Sequence, residues 1–538
     1  MKLGTKDTTS VRAWRFILIE ERWIPIRRKS GREEQIAPWE ITDSHESDPV
    51  ISLNAPRPDF NGALIQFLIG LVQTTAPPED DDEWEARFDV PPSPNTLKVV
   101  FETVKDAFNL GGTGARFMQD FDEIETNPQN ISGLLIDSPG ENTLKNNADH
   151  FIKRGNINCM CPSCAATALF ALQTNAPAGG AGYRVSLRGG GPLTTLVVGV
   201  SGGANSLWRT VWLNIIEKDE FLRICCDPKK KDTSDIFPWM AKTRTSEKHT
   251  GRDTTPEDIN PAQMFWGMPR RIRLNTGDAK PGMCDLCGSA TKETINTYRT
   301  KNHGVAYSGP FLHPLSPHSR QDGVPSPVHA QPGGVTYRHW LGLVQADKVN
   351  NREPALVVNK FVSCQRSDGS FRLWAFGYDM DKMKARCWYE STMPLLPLGE
   401  ELREDYESDI ANMVMAASEI VKNLKSCIKA AWFKRAKDKK GDMSFIGTRF
   451  WQNTEENFYD ALHNLKISLE KGNEWGLIRQ DWYKCICRTS LSLFDEAAWS
   501  GPIEDADPKR AVLARHDLER KNSSKKIREE LLGLPKKS

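Results

Sequence analysis

The chain of 538 residues contains no apolar run near the roughly 18 residues that a membrane span needs. The best candidate, "GALIQFLIGLVQ" from Gly62, is shorter and carries Gln66. The opening "MKLGTKDTTSVRAWRF" lacks an apolar signal core. Both absences predict a cytoplasmic protein with no membrane partner. Net charge is nearly missing too, since 71 Lys and Arg against 70 Asp and Glu leave +1. No global field draws this chain to nucleic acid, so any such binding has to come from local clusters. Nucleotide-phosphate signatures are also absent: there is neither G-x-x-x-x-G-K-[ST] nor a helix-opening G-x-G-x-x-G. ATP chemistry is therefore not expected. In a reducing compartment the twelve cysteines are not expected to form a disulfide framework, and paired ones read as metal ligands or buried thiols.

What is present is a globular composition, 39% hydrophobic and 26% charged, in a chain too long for one ordinary core. Its texture divides it in two. Up to about residue 392, short β-like runs such as "FILIEERWIPI" and "PLTTLVVGV" alternate with helical patches and many Gly and Pro breaks. After "MPLLPLGEELRED" the texture changes, and from Glu400 onward helical periodicity dominates, in four stretches separated by "KDKKGDMSF", "EKGNEW" and "SGPIEDADP", which places the boundary near residue 392. The expected fold is α+β: a large mixed domain over 1–392, then an all-α four-helix bundle over 393–538.

Two cysteine knuckles stand out, "CMCPSC" from Cys159 and "GMCDLCG" around Cys284. C-x-x-C spacing lets two thiolates reach one tetrahedral ion, and two such pairs complete a closed structural zinc site. The expected ligands are Cys161, Cys164, Cys284 and Cys287, with Cys159 close enough to leave the register of the first pair open. Two unrelated loops with buried thiols would read the same way.

Basic clusters occur at Lys153 and Arg154, at Arg184 and Arg188, at Lys229 to Lys231, and at Arg270, Arg271 and Arg273. Each taken alone reads as a solvated face. Between them, "NAPAGGAGYR" places Gly179, Gly180 and Gly182 where backbone N–H groups can come close to a partner surface, although a flexible turn reads equally well. One enzyme pattern is present: Gly199-Val-Ser201-Gly-Gly203 matches the G-x-S-x-G of a serine hydrolase elbow. The irregular region after Ser201 and the scattered histidines argue against it.

In order along the chain, "FILIEERWIPI", "NAPRPDFNGALIQFLIGLVQ", "ARFMQD", "CPSCAATALFALQTNAPAGGAGYRVSLRGGGPLTTLV", "QMFWGMPRRI", "CDLCG", "FLHPLSPH" and "FWQNTEENFYD" resemble the CasA family, the large subunits of type I-E CRISPR Cascade complexes. The resemblance implies a non-catalytic subunit that recognises the protospacer-adjacent motif in double-stranded DNA, starts strand separation and recruits a helicase-nuclease. Its implied partners include the 5′ handle of the CRISPR RNA and the backbone and small subunits of the complex. Carried over residue by residue, Gly179, Gly180 and Gly182 match the glycine loop, and Arg188, in the long central motif, is expected to bind nucleic acid with them. Lys301 matches the lysine finger, with Lys292 and Arg299 as alternatives. Lys382 and Met383 match the tip of a wedge hairpin, where some relatives carry Gln. Phe151 matches the anchor of a loop that docks on the RNA handle. Basic positions Arg435, Lys437 and Lys439 are expected to face partners of the bundle. The zinc would then tie the base of the glycine loop to the base of the lysine hairpin. Besides the hydrolase, a zinc-stabilised scaffold without DNA contact remains as a competing reading.

Overall fold

The computed structural model describes residues 14–138, 155–180, 182–199, 206–330, 333–363, 371–381, 384–396, 400–435, 441–472, 475–500 and 507–536. Phe151, Ser201, Lys382, Met383, Lys437 and Lys439 lie outside the described residues. None of the described helices is long and apolar enough to cross a membrane.

The apolar stretch from Gly62 belongs to the central helix α1 (Pro58–Thr75). Pro58 opens it at a position that needs no N–H, and Pro77 and Pro78 follow its end. A helix that is apolar nearly all round has to be interior, and α1 is buried along almost its whole length. Phe67 is its hub. Trp23, Phe108, Phe117, Phe170 and Trp266 all meet its ring edge-on, at centroid distances from 5.2 to 6.0 Å. That geometry sets positive ring edges against negative faces. Phe170 belongs to α2 (Pro162–Asn175), which packs on α1.

Among the described residues fourteen strands form small sheets. They are β1 (Ile24–Arg28), β2 (Glu33–Ile36), β3 (Val50–Leu53), β4 (Gln129–Asn130), β5 (Thr194–Gly199), β6 (Arg271–Leu274), β7 (Lys280–Met283), β8 (Ala290–Thr294), β9 (Thr297–Lys301), β10 (His318–Gln321), β11 (Val324–Pro327), β12 (Arg352–Glu353), β13 (Phe371–Asp381) and β14 (Lys384–Pro394). The sheet orders are β2-β1-β3, β4-β9-β6, β11-β10-β12, β14-β13-β5 and the hairpin β7-β8. Every named pairing is antiparallel. Two of these sheets position the candidate site: β9 runs in register with β6, Lys301 opposite Arg271, and the long β13–β14 hairpin is paired down to Asp381 and Lys384.

The C-terminal region has four main helices, α3 (Glu400–Trp432), α4 (Ser444–Glu470), α5 (Gly476–Ala498) and α6 (Pro508–Asn522). The buried stripe of α3, Ile410, Met413, Ala417, Ile420, Leu424 and Ile428, recurs at three- and four-residue steps. Met393, where the sequence reading starts the bundle, is still in β14, pairs with Leu373 and is 0% exposed. The mixed region also reaches into the bundle. Tyr337 stacks on Phe458 at 4.3 Å, meets Trp451 and Trp482 edge-on, and shares a 2.8 Å hydrogen bond with the Thr454 hydroxyl. Nearby, Trp340 packs on Tyr406 of α3 and donates to the Pro394 carbonyl.

Tyr337→Ala should lower the melting midpoint of the helical signal and cost about 3–5 kcal/mol, as large aromatic deletions from a packed core do. Denaturant titration followed by far-UV circular dichroism checks this; an unchanged midpoint would mean the bundle does not depend on the inserted ring.

Candidate metal centre and nucleic-acid interface

The two knuckles meet. Cys161 is the N-cap of α2, its sulfur facing the Cys164 N–H, and Pro162 fixes the first turn, so both sulfurs point off one helix end. Cys284 and Cys287 lie in the turn between β7 and β8, closed by Gly288 N–H on the Cys284 carbonyl. All four sulfurs fall within 4.8 Å of one another, and Cys161 and Cys287 are 3.8 Å apart. A tetrahedral zinc with bonds of about 2.3 Å spaces its sulfurs about 3.8 Å apart. The donor set fits that ion. As bare thiols the group is frustrated: Cys284 is drawn down to about 6 and Cys287 lower, by hydrogen bonds from Cys161 and then Cys164, while the bond with Cys161 pushes Cys164 up. A divalent cation would hold all four as thiolates at once.

Cys159 is outside the cluster. Its sulfur faces the Met283 carbonyl at 2.9 Å, and burial together with the Asp285 carboxylate pushes its thiol up. Asp285 in turn accepts from the backbone N–H groups of Asn158 and Cys159, at 2.7 and 2.9 Å, so the two knuckles are also laced together by hydrogen bonds. Met160 and Ile295 exchange both backbone bonds one residue further on, which carries the join to the foot of β9.

The glycine loop begins where α2 ends, about 21 Å from the cysteines for a helix of 14 residues. The metal therefore does not sit at the bases of both loops, as the sequence suggested. At this far end the loops are joined directly: the His303 N–H donates to the Gly182 carbonyl at 2.9 Å. Gly182 has φ +86°, and a Cβ there would lie 2.9 Å from the His303 nitrogen and Asn302 Cβ, so the close approach requires glycine. Lys301, two residues before His303, is exposed and forms no ion pair among the described residues. Gly180 is also exposed, and a Cβ there would meet nothing within 4 Å. Gly179, by contrast, rests against Tyr183. Arg299 donates to the Thr126 carbonyl, and Lys292 lies exposed on β8, beside the cysteine hairpin.

Arg188 corrects the sequence reading. It is 2% exposed and its guanidinium donates to Ser316, Gln66, Thr194 and the Leu193 carbonyl. Burial pulls it down to about 9. This arginine is an internal brace on α1 and cannot reach a nucleic acid. The cluster ahead of the second knuckle is internal too: Arg271 is bonded to the buried Asp120, Arg273 to Glu123, and Arg270 covers the Tyr183 ring at 4.8 Å while donating to the Pro177 carbonyl. No sequence signal separates Arg270, Arg271 and Arg273 from surface charges, because the acceptors of these hydrogen bonds lie 93 to 153 positions away.

The hydrolase frame is missing around the G-x-S-x-G pattern. A nucleophile elbow joins a strand of a mostly parallel sheet to a helix, whereas β5 is the edge of an antiparallel three-stranded sheet.

The described residues thus form an α+β body whose two knuckles bring four cysteines together as a candidate metal site, followed by a helical C-terminal region. The family model for CRISPR-associated protein Cse1 matches residues 18–493, and the chain belongs to that family, also known as CasA, the large subunits of type I-E Cascade. The fold is similar to a CRISPR-associated protein from Thermus thermophilus (TM-score 0.68, 17% identity, covering 95% of this chain and 99% of that one). It is also similar to Thermobifida fusca Cse1 (0.67, 16%, 96% and 98%) and to a chain of a CRISPR RNA-guided surveillance complex (0.65, 15%, 95% and 100%).

The purified protein should carry about one zinc per chain, and Cys284→Ser or Cys287→Ser should release it and lower the melting temperature, since closed sites contribute to folding directly. Cys159→Ser should keep the metal. Elemental analysis of the three variants decides between them, and a zinc-free, fully folded parent would refute the assignment.

Proposed function

We propose that this chain is a non-catalytic subunit of a CRISPR RNA-guided complex that reads the protospacer-adjacent motif in duplex DNA, begins strand opening and presents the opened target to a helicase-nuclease. Family membership and the fold shared with a chain of a surveillance complex support the assembly. The observation that carries the DNA-reading part is the Gly182–His303 hydrogen bond, which sets exposed Gly180 beside exposed Lys301. Backbone donors and one mobile cation suit a minor groove, whose acceptor pattern is degenerate, and they give relaxed readout rather than a strict code. Lys382 and Met383, between the paired ends of β13 and β14, are proposed to wedge the first base step apart, at a cost of roughly a few kcal/mol. Phe151 is proposed to dock on the RNA handle, and Arg435 with Lys437 and Lys439 to face partner subunits or DNA.

Co-purification with a CRISPR RNA and the other Cascade subunits, followed by gel shifts over a panel of candidate motifs, tests this reading. In that assembly Gly180→Leu should fold normally, because its side chain enters open space, yet abolish motif-dependent binding at every salt concentration. Lys301→Ala should cost about 1–3 kcal/mol if the ammonium meets a base edge, and should instead weaken all sequences alike and flatten the salt dependence if it meets phosphate. Parent-like binding by both variants would sink the assignment of these loops.

A further inference from the structure

Three successive glycines, Gly189, Gly190 and Gly191, follow the glycine loop and stand between it and the β13–β14 hairpin. Each faces a different neighbour. A Cβ on Gly190 would lie 2.8 Å from Pro177 Cα, the backbone at the start of the glycine loop. A Cβ on Gly191 would lie 2.4 Å from Met380 Cγ, next to the last described residue of β13. On the third side, a Cβ on Gly189 would lie 2.4 Å from Cε1 of His329.

The segment is held in place as well as crowded. Gly191 N–H donates to the Asn175 carbonyl at the end of α2, and its own carbonyl accepts from Ala330 at 3.3 Å. Leu193 N–H donates to the Val328 carbonyl, and Pro192 bridges His329, so residues 328–330 lie alongside the glycines as a backstop. β13 approaches just as closely: a Cβ on its Gly377 would meet the Pro192 carbonyl at 3.0 Å. Interiors packed this closely transmit a displacement of an ångström rather than absorbing it.

We propose that Gly189–Gly191, backed by His329, act as a steric spacer that sets the distance between the glycine loop and the β13–β14 hairpin, with Gly190 positioning the loop and Gly191 positioning the hairpin. The proposal rests on the DNA-reading assignment above. It makes adjacent glycines separable in function: one governs encounter with the motif, the next governs opening of the duplex.

The test uses the assembled complex, with motif-dependent binding read by gel shift and duplex opening read by stopped-flow fluorescence of 2-aminopurine beside the motif. Gly190→Ala should weaken motif-dependent binding about tenfold or more, since displacements of an ångström at a positioned site can cost up to about a hundredfold. Gly191→Ala should leave that binding within about twofold and slow opening about tenfold or more. Met380→Ala should recover most of the lost opening rate in the Gly191→Ala protein, by removing the atoms its new methyl meets while the strain of an alanine at φ +62° stays, and should do nothing for Gly190→Ala. Met380→Phe crowds the same space with every glycine intact and should reproduce the opening defect. Zinc content and melting midpoint establish that each variant is folded. Identical behaviour of the two alanine variants, or no rescue through Met380, overturns the spacer. A parent complex that shows no motif dependence overturns the DNA-reading assignment instead, and the spacer with it.

Discussion

Four cysteine sulfurs crowded within 4.8 Å would repel one another as thiolates, and a cation held among them would also join two distant stretches of chain. Cys161 and Cys164 cap one end of α2, while Cys284 and Cys287 lie in the turn that leads into β8 and on to β9. From there α2 and the β8–β9 segment run to a second meeting point, where the Gly182 carbonyl receives the His303 N–H. A strut fixed at one end transmits little; fixed at both, it holds a separation. A metal bound at the cysteines would thus act at a distance of about one helix length, through the stiffness of α2 and its packing on α1.

The charged residues show the same economy of placement. Buried Arg188, Arg271 and Arg273 and half-buried Arg270 spend most of their donors on carbonyls, carboxylates and hydroxyls of the mixed region, although Nε of Arg270 and Nε of Arg273 find no hydrogen-bond partner among the described residues. Gln66, the residue that disqualified α1 as a membrane span, is one of those partners. Removing these cations from the surface leaves Lys301 conspicuous at the end of β9. A chain with a net charge of +1 can still present a local positive site when most neighbouring arginines are neutralised within.

Much of this was legible in the sequence, for physical reasons that differ by element. The knuckles were readable because C-x-x-C spacing is itself the geometry of a bidentate pair, and the helical region because its apolar stripe recurs at 3.6 residues. The fate of Arg188 was not, since burial depends on Ser316 and Gln66, 128 and 122 positions away. Nor was the role of Tyr337, a lone aromatic in an irregular stretch whose partners Trp451, Phe458 and Trp482 lie on two helices of the bundle. That insertion ties the two regions together across residue 393, where periodicity alone places a division; the first long helix begins at Glu400.

Gly180 has an evolutionary consequence. Its neighbours Gly182 and Gly190 are locked by the backbone they touch, so substitution there disturbs the protein before it alters anything outside. Gly180 meets no such veto: a Cβ there would touch nothing within 4 Å. Selection on that position therefore answers to the contacting surface alone. On the proposed reading of the glycine loop, a small residue there could shift motif preference in a single step where a bulky one such as leucine abolishes binding, and neither would first require stabilising changes elsewhere.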